Sequence, residues 1–249
     1  MPLQGWEYTE FNFFNNLSNF FGLGLLIAGI SIFMSDMVSG EYTPATLKFL
    51  LVQPVKRGKI LFSKFIVSVV TVLSLIILPQ IIGIGIVNIT NNIEASNYPV
   101  RIEQKYEKQF DQNSQEMIME QVPNTSKMVT NNEFVLRSFG YQTIFIITAC
   151  SVVFMISTIF KSSMISMAVS VILTIFLTIG TQTIGTIRDY SHLLFTTYAD
   201  SSSVINSNLP LMYQNTNLTI VNGIICMTLT SVIAYTISHI NFTKKDILI

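Results

Sequence analysis

Lys48, Lys56, Arg57, Lys59 and Lys64 gather five basic side chains in the stretch from Asp36 to Lys64, which also carries Glu41. Phosphate chemistry at such a cluster needs a glycine-rich cradle, and no G-x-x-x-x-G-K-[ST] occurs in the chain, so ATP hydrolysis is not expected of it. Gly22 and Gly24, or Gly83 and Gly85, lie in apolar runs without the strand-to-helix setting of a dinucleotide site. His192 and His239 stand far apart and outside any H-x-x-x-H spacing, which makes them interfacial polar residues rather than metal ligands. Cys150 and Cys226 both fall within apolar runs, where a small thiol packs, and neither a disulfide framework nor a metal site follows from them. The chemistry legible here is that of charge placement, with no catalytic residues and no cofactor.

A membrane is what must position these charges. Of 249 residues 50% are hydrophobic and 11% charged, against about 25% charged in an ordinary soluble domain. Stretches without Asp, Glu, Lys or Arg run from Phe11 to Ser35, Phe65 to Ile93, Ser138 to Phe160, Ser162 to Ile187 and Ser201 to Thr243. A helix needs about 20 such residues to cross a bilayer. The expected fold is therefore all-α, a polytopic helical bundle forming a single transmembrane domain over residues 1–249, with spans near 18–35, 65–88, 138–160, 164–184 and 218–240. Pro79 falls inside the second span, where a membrane helix tolerates it. Gly24 and Ala28 have the small-xxx-small spacing that can seat a neighbouring helix, although small residues also occur in such spans without that role. Net charge is +0, with no concentrated basic face for nucleic acid.

Basic residues flanking spans favour the cytoplasm, so the cluster of residues 36–64 is the strongest orientation signal and places that loop inside. Lys161, in a tight hairpin between the third and fourth spans, and Lys244 with Lys245 near the C-terminus agree with it. Five spans with a cytoplasmic C-terminus put Met1 outside; with no basic n-region to act as a signal, a further helix upstream is expected. Outer loops then cover residues 89–137 and 185–217. In the first, Ile102, Tyr106 and Phe110 recur every four residues among polar ones, the pattern of a short amphipathic helix. A surface helix, a lid and a solvated connection all fit it. Arg101, Lys105, Lys108, Lys127 and Arg137 count against an outer placement, with reduced weight because they are dispersed among acids. In the second, Tyr198, Leu209, Pro210, Leu211, Met212 and Tyr213 point to an interfacial or re-entrant piece.

The run S-D-M-V-S-G-E-Y-T-P-A-T-L-K-F-L-L-V-Q-P-V-K-R-G-K-I-L-F-S-K between two spans resembles the membrane-spanning permease subunits of type-2 ABC transporters. The match rests on Gly40, Glu41, Thr46, Leu50, Leu51, Pro54, Arg57, Ile60 and Lys64. Pro44 and Ala45 depart from it, standing where relatives more often have a glycine; proline suits a first helical turn. Relatives also have six spans, so the resemblance implies that the first is missing here. It implies further that this loop holds a cytoplasmic coupling helix docking on a separate ATPase subunit. Glu41 near the helix start and Lys48 further along suit the helix dipole, and Leu47, Leu50 and Leu51 offer an apolar docking face.

The partners implied are ABC ATPase subunits and a second permease copy or a homologous permease, within the lipid of the cell membrane. The function implied is that of a permease subunit, most simply an exporter, with ATP hydrolysis on the separate subunit. The absence of acids and bases from the span centres supports an external energy source. The alternatives are a membrane-embedded accessory protein or a secondary transporter without an ATPase partner.

Overall fold

Long runs of Ile, Leu, Val and Phe leave the backbone in an apolar surrounding with one local way to satisfy its polar groups, the α-helix. The computed structural model of the chain describes residues 26–42, 56–90, 99–111 and 116–244. Helix α1 (Leu26–Ser39) ends in a 3-10 turn, Gly40–Tyr42. Helix α2 covers Arg57–Thr90 with Pro79 inside it, a length of about 51 Å at 1.5 Å per residue. Then come α3 (Asn131–Ile159) and α4 (Ser163–Thr183), separated only by residues 160–162. A group of short pieces follows: α5 (Gly185–Asp189), two 3-10 turns (Ser191–Leu193 and Phe195–Tyr198), α6 (Ser201–Ile205) and α7 (Leu209–Tyr213). Helix α8 (Ile220–Lys244) closes the bundle. Among the described residues, α2, α3, α4 and α8 are long and apolar enough to cross a membrane.

Helix α3 is the hub, packing against α1, α2, α4 and α8. Its apolar window is 72% buried, against 22%, 28% and 17% for α2, α4 and α8. Phe134, Phe145 and Phe154 on α3, Met34 on α1, Leu61 on α2 and Met227 on α8 are fully buried. Thr130 caps the start of α3, its Oγ1 accepting from the Glu133 N–H at 3.4 Å; the T-N-N-E sequence is that of a capping box. Small residues set the α3–α8 seam, since Gly223, Ala234 and Ser238 are all buried on α8, and small side chains let membrane helices approach closely. Polar bonds cross the same seam: Thr148 Oγ1 donates to the Met227 carbonyl at 3.2 Å and Ser231 Oγ donates to Thr148 Oγ1 at 2.9 Å.

The segment between α2 and α3 is not the amphipathic helix that its spacing of four predicts. It forms β1 (Pro99–Ile102), β2 (Tyr106–Asp111), β3 (Glu116–Gln121) and β4 (Lys127–Thr130). Antiparallel β1–β4 pairs Ile102 with Lys127, and antiparallel β2–β3 pairs Tyr106 with Gln121, so the two ladders nest into one ribbon. Tyr106 and Phe110 share β2, where a spacing of four, being a multiple of two, lands on one face of a strand as readily as on one face of a helix, while Ile102 belongs to β1. Glu103, between the ladders, has φ of 58° and breaks any helix at that point. Ile102 and Tyr106 are buried, whereas Phe110 is exposed.

The ends of the expected elements also move. Arg57, Lys59 and Lys64, read in sequence as part of a loop, lie in the first turns of α2, because no proline interrupts the helix between Pro54 and Pro79. Helix α1 continues past Ser35 to Ser39, and residues 18–25 of the expected first span lie outside the described residues.

Candidate functional site

The end of the bundle where α1 stops and α2 starts carries Glu41, Lys56, Arg57, Lys59 and Lys64 of the charged side chains singled out from the sequence. Helix α1 loses its apolar character at Asp36, and the chain turns through Gly40–Tyr42. Lys64, almost two turns into α2, reaches back to this turn. Its Nζ forms an ion pair with the Glu41 carboxylate and also donates to the Met37 carbonyl at 3.4 Å. Both side chains are mostly covered, with relative exposures of 17% and 25%. At that burial the contact is screened less than a surface pair. It fixes the direction in which the chain leaves α1 and returns to α2.

Two further contacts brace this end. Ser157, in the last turn of α3, donates its hydroxyl to the Ser35 carbonyl at 2.7 Å and accepts from the Val38 and Ser39 N–H groups at 3.2 and 3.1 Å. One side chain therefore satisfies backbone groups where α1 gives way to the turn. On the other side, α2 runs close to α8: a Cβ added at Gly58 would stand 2.7 Å from His239 Nε2. Below that contact Phe65 packs on Tyr235 and Phe154, with ring centroids 5.1 and 5.3 Å apart, joining α2, α8 and α3. Lys56, Arg57 and Lys59 are exposed at the tip.

Of the residues selected from the sequence, Gly40, Glu41, Arg57, Ile60 and Lys64 are described, and Glu41 and Lys64 are brought into contact. Gly40 sits under the Asp36 side chain, whose Oδ1 would lie 2.1 Å from an added Cβ. Thr46, Leu47, Lys48, Leu50, Leu51 and Pro54 lie outside the described residues. Sequence reasoning missed Ser157 and Gly58. A serine in an apolar run carries no local signal, and Gly58 matters only because His239 approaches it.

The opposite end is built from the β ribbon and the short pieces α5–α7. Glu103 pairs with Lys127 at 2.6 Å and with Arg137 at 3.1 Å, while Arg137 also holds Glu133 at 2.6 Å. The hydrogen bond from Lys127 holds the Glu103 carboxyl below its ordinary value; burial opposes the shift, and the Lys127 and Arg137 charges add to it. The Glu103 N–H donates to the Ile205 carbonyl at 3.4 Å, tying the ribbon to α6. Asp200 caps α6, accepting at Oδ1 from the Ser202 N–H at 3.1 Å. Tyr198, Leu209, Pro210 and Tyr213 are buried in this layer, and Leu211 and Met212 are exposed. Among the described residues no group of His, Cys, Asp and Glu could hold a metal ion.

A bundle of this kind defines a multi-pass membrane protein whose charges lie at its two ends. The family model described as "ABC-2 family transporter protein" matches residues 17–247, and the chain belongs to that family. It is accordingly the permease component of an ABC transporter, a membrane subunit that is not itself catalytic. Permeases of this family generally work with ATPase subunits. Comparisons with curated proteins and with solved structures gave no match.

Proposed function

We propose that this permease is the membrane half of an exporter and takes its energy from a separate ATPase through residues 40–64. The observation that carries the reading is the Glu41–Lys64 pair. It clamps together the two ends of the segment that holds Thr46, Leu47, Lys48, Leu50, Leu51 and Pro54. A push delivered to that segment is then borne by α1 and α2 together and passed through Ser157 to the hub helix α3. The lack of a phosphate cradle in the sequence and of charged residues at the span centres supports an energy source on another subunit. Two permeases, identical or homologous, and two ATPase subunits make the working unit. The chain sits in the cell membrane with residues 36–64 and the C-terminus in the cytoplasm, and the ribbon and α5–α7 on the outer side, in keeping with the flanking basic residues.

Co-purification tests this reading. The expected result is that an ATP-binding-cassette subunit associates with the permease and that its hydrolysis rises on reconstitution. Glu41→Ala and Leu51→Asp should both lower that rise. If no such subunit associates, or if both variants behave as wild type, the reading fails.

A further inference from the structure

Between the β ribbon and the short helices lies a cleft of about 630 Å³. Val204, Pro210 and Leu218 line it as buried apolar residues and form its floor, the exposed Val221 continues that surface outward, and Glu103, Lys105, Glu107 and Lys127 supply its charged lining. Glu103 and Lys127 neutralise each other at 2.6 Å. Lys105 and Glu107 enter no ion pair among the described residues, and they stand two positions apart in the chain, one of each sign. The Lys105 backbone is held firmly: its N–H donates to Thr125 Oγ1 at 3.2 Å, and its carbonyl accepts from the Val122 N–H at 3.1 Å. The charged lining thus offers one cationic and one anionic contact from a fixed backbone.

The floor does not end at the cleft. Val221 is 63% exposed and begins a stripe on α8 continued by Ile225, Leu229 and Val232, all more than half exposed and at helical spacing. Such a stripe on a spanning helix faces acyl chains, as does the comparable stripe Ile172, Phe176 and Ile179 on α4. What sets the α8 stripe apart is that its upper end opens into a cleft with charges of both signs. A molecule matching all three features has an acyl chain, an anionic group and a cationic group.

We propose that this cleft binds the head group of a zwitterionic phospholipid from the adjacent leaflet. Lys105 takes the phosphate, Glu107 takes the ammonium, and one acyl chain lies along Val221, Ile225, Leu229 and Val232. The assignment is independent of transport direction and of the ATPase partner, since it uses only the end of the bundle away from Glu41.

Photolabelling of the full chain tests it. The protein is placed in phosphatidylglycerol nanodiscs containing a small fraction of phosphatidylethanolamine with a photoreactive acyl chain, and labelled peptides are mapped by mass spectrometry. Labelling of 221–232 should exceed that of the 172–179 stripe by about fivefold, the gain expected from two partly exposed charge contacts. Lys105→Glu and Glu107→Lys should each bring the ratio close to one, while labelling of 172–179 stays constant and reports that the bundle is intact. A wild-type ratio near one, or a ratio unchanged by both substitutions, overturns the proposal. Loss with Lys105→Glu alone, or stronger labelling by the matching photoreactive phosphatidylglycerol, shows an anionic-lipid site and also overturns it.

Discussion

The Ser157 hydroxyl on α3 donates to the Ser35 carbonyl on α1 at 2.7 Å, across 122 residues of sequence. The same oxygen accepts from the Val38 and Ser39 N–H groups, so one atom holds the last turn of α1, immediately before the Gly40–Tyr42 turn that carries Glu41. Ser157→Ala removes these bonds and the contact to Ser39 Oγ at 3.4 Å, and leaves the Ser39 hydroxyl as the side-chain donor to the Ser35 carbonyl. Stability should fall by roughly 1–2 kcal/mol, between the modest value of a membrane hydrogen bond and the cost of an orphaned buried group. The thermal midpoint of the purified permease measures it. Stimulation of the ATPase should fall as well, whereas Ser157→Thr, which keeps the hydroxyl, should retain most of both.

Gly223 on α8 faces Tyr141 of α3 and the Tyr198 ring with no room for a side chain. A Cβ there would lie 1.8 Å from Tyr141 Oη and 2.8 Å from Tyr198 Cδ1. Gly223→Ala should therefore destabilise the bundle by roughly 1–3 kcal/mol, as overpacking of a close-packed interior does. Tyr141→Phe in the same chain should recover part of the loss by removing the nearer atom. The rest should persist, because the Tyr198 ring still stands in the way. Unfolding of the wild type and the two variants in one detergent compares them directly.

Acid should loosen the β ribbon. Glu103 titrates below its ordinary value of 4.5, chiefly through the hydrogen bond from Lys127. A carboxyl depressed in the folded state stabilises that state above its unfolded pKa. That contribution is lost as pH falls from 4.5 through the lower folded value. Hydrogen exchange at Val100–Ile102 and Lys127–Thr130 should accelerate in that window. Glu103→Gln should weaken the ribbon at neutral pH and flatten its acid response. Equal acid sensitivity in both proteins would remove Glu103 from the account.

How much of this was legible in the sequence depended on the range of the interaction concerned. Spans such as Ser163–Thr183 announce themselves because a bilayer demands a continuous apolar run. The Thr130–Glu133 cap closes within four adjacent residues but lies inside the stretch 89–137 that the sequence reads as an outer loop. Ile102, Tyr106 and Phe110 misled, since a period of four cannot separate strand from helix and the deciding feature, the positive φ of Glu103, has no sequence signature in a glutamate. Glu41 and Lys64 could be selected for their charge and for the family resemblance. That they touch is a property of how α1 and α2 pack. Ser157 and Gly58 were invisible for the same reason: each acquires its role from a backbone or ring on a distant helix.

In the coupling proposed for this permease, force enters through the segment clamped by Glu41 and Lys64. A charge exchange measured on the reconstituted permease–ATPase complex tests it most directly, with transport and ATP hydrolysis followed together. Glu41→Lys and Lys64→Glu each place like charges in a mostly covered site, and each should lower transport per ATP hydrolysed by about tenfold, the scale of a broken, partly buried pair. The double exchange should restore most of that coupling. Single reversals that leave coupling unchanged, or a double exchange no better than the worse single, would contradict the account.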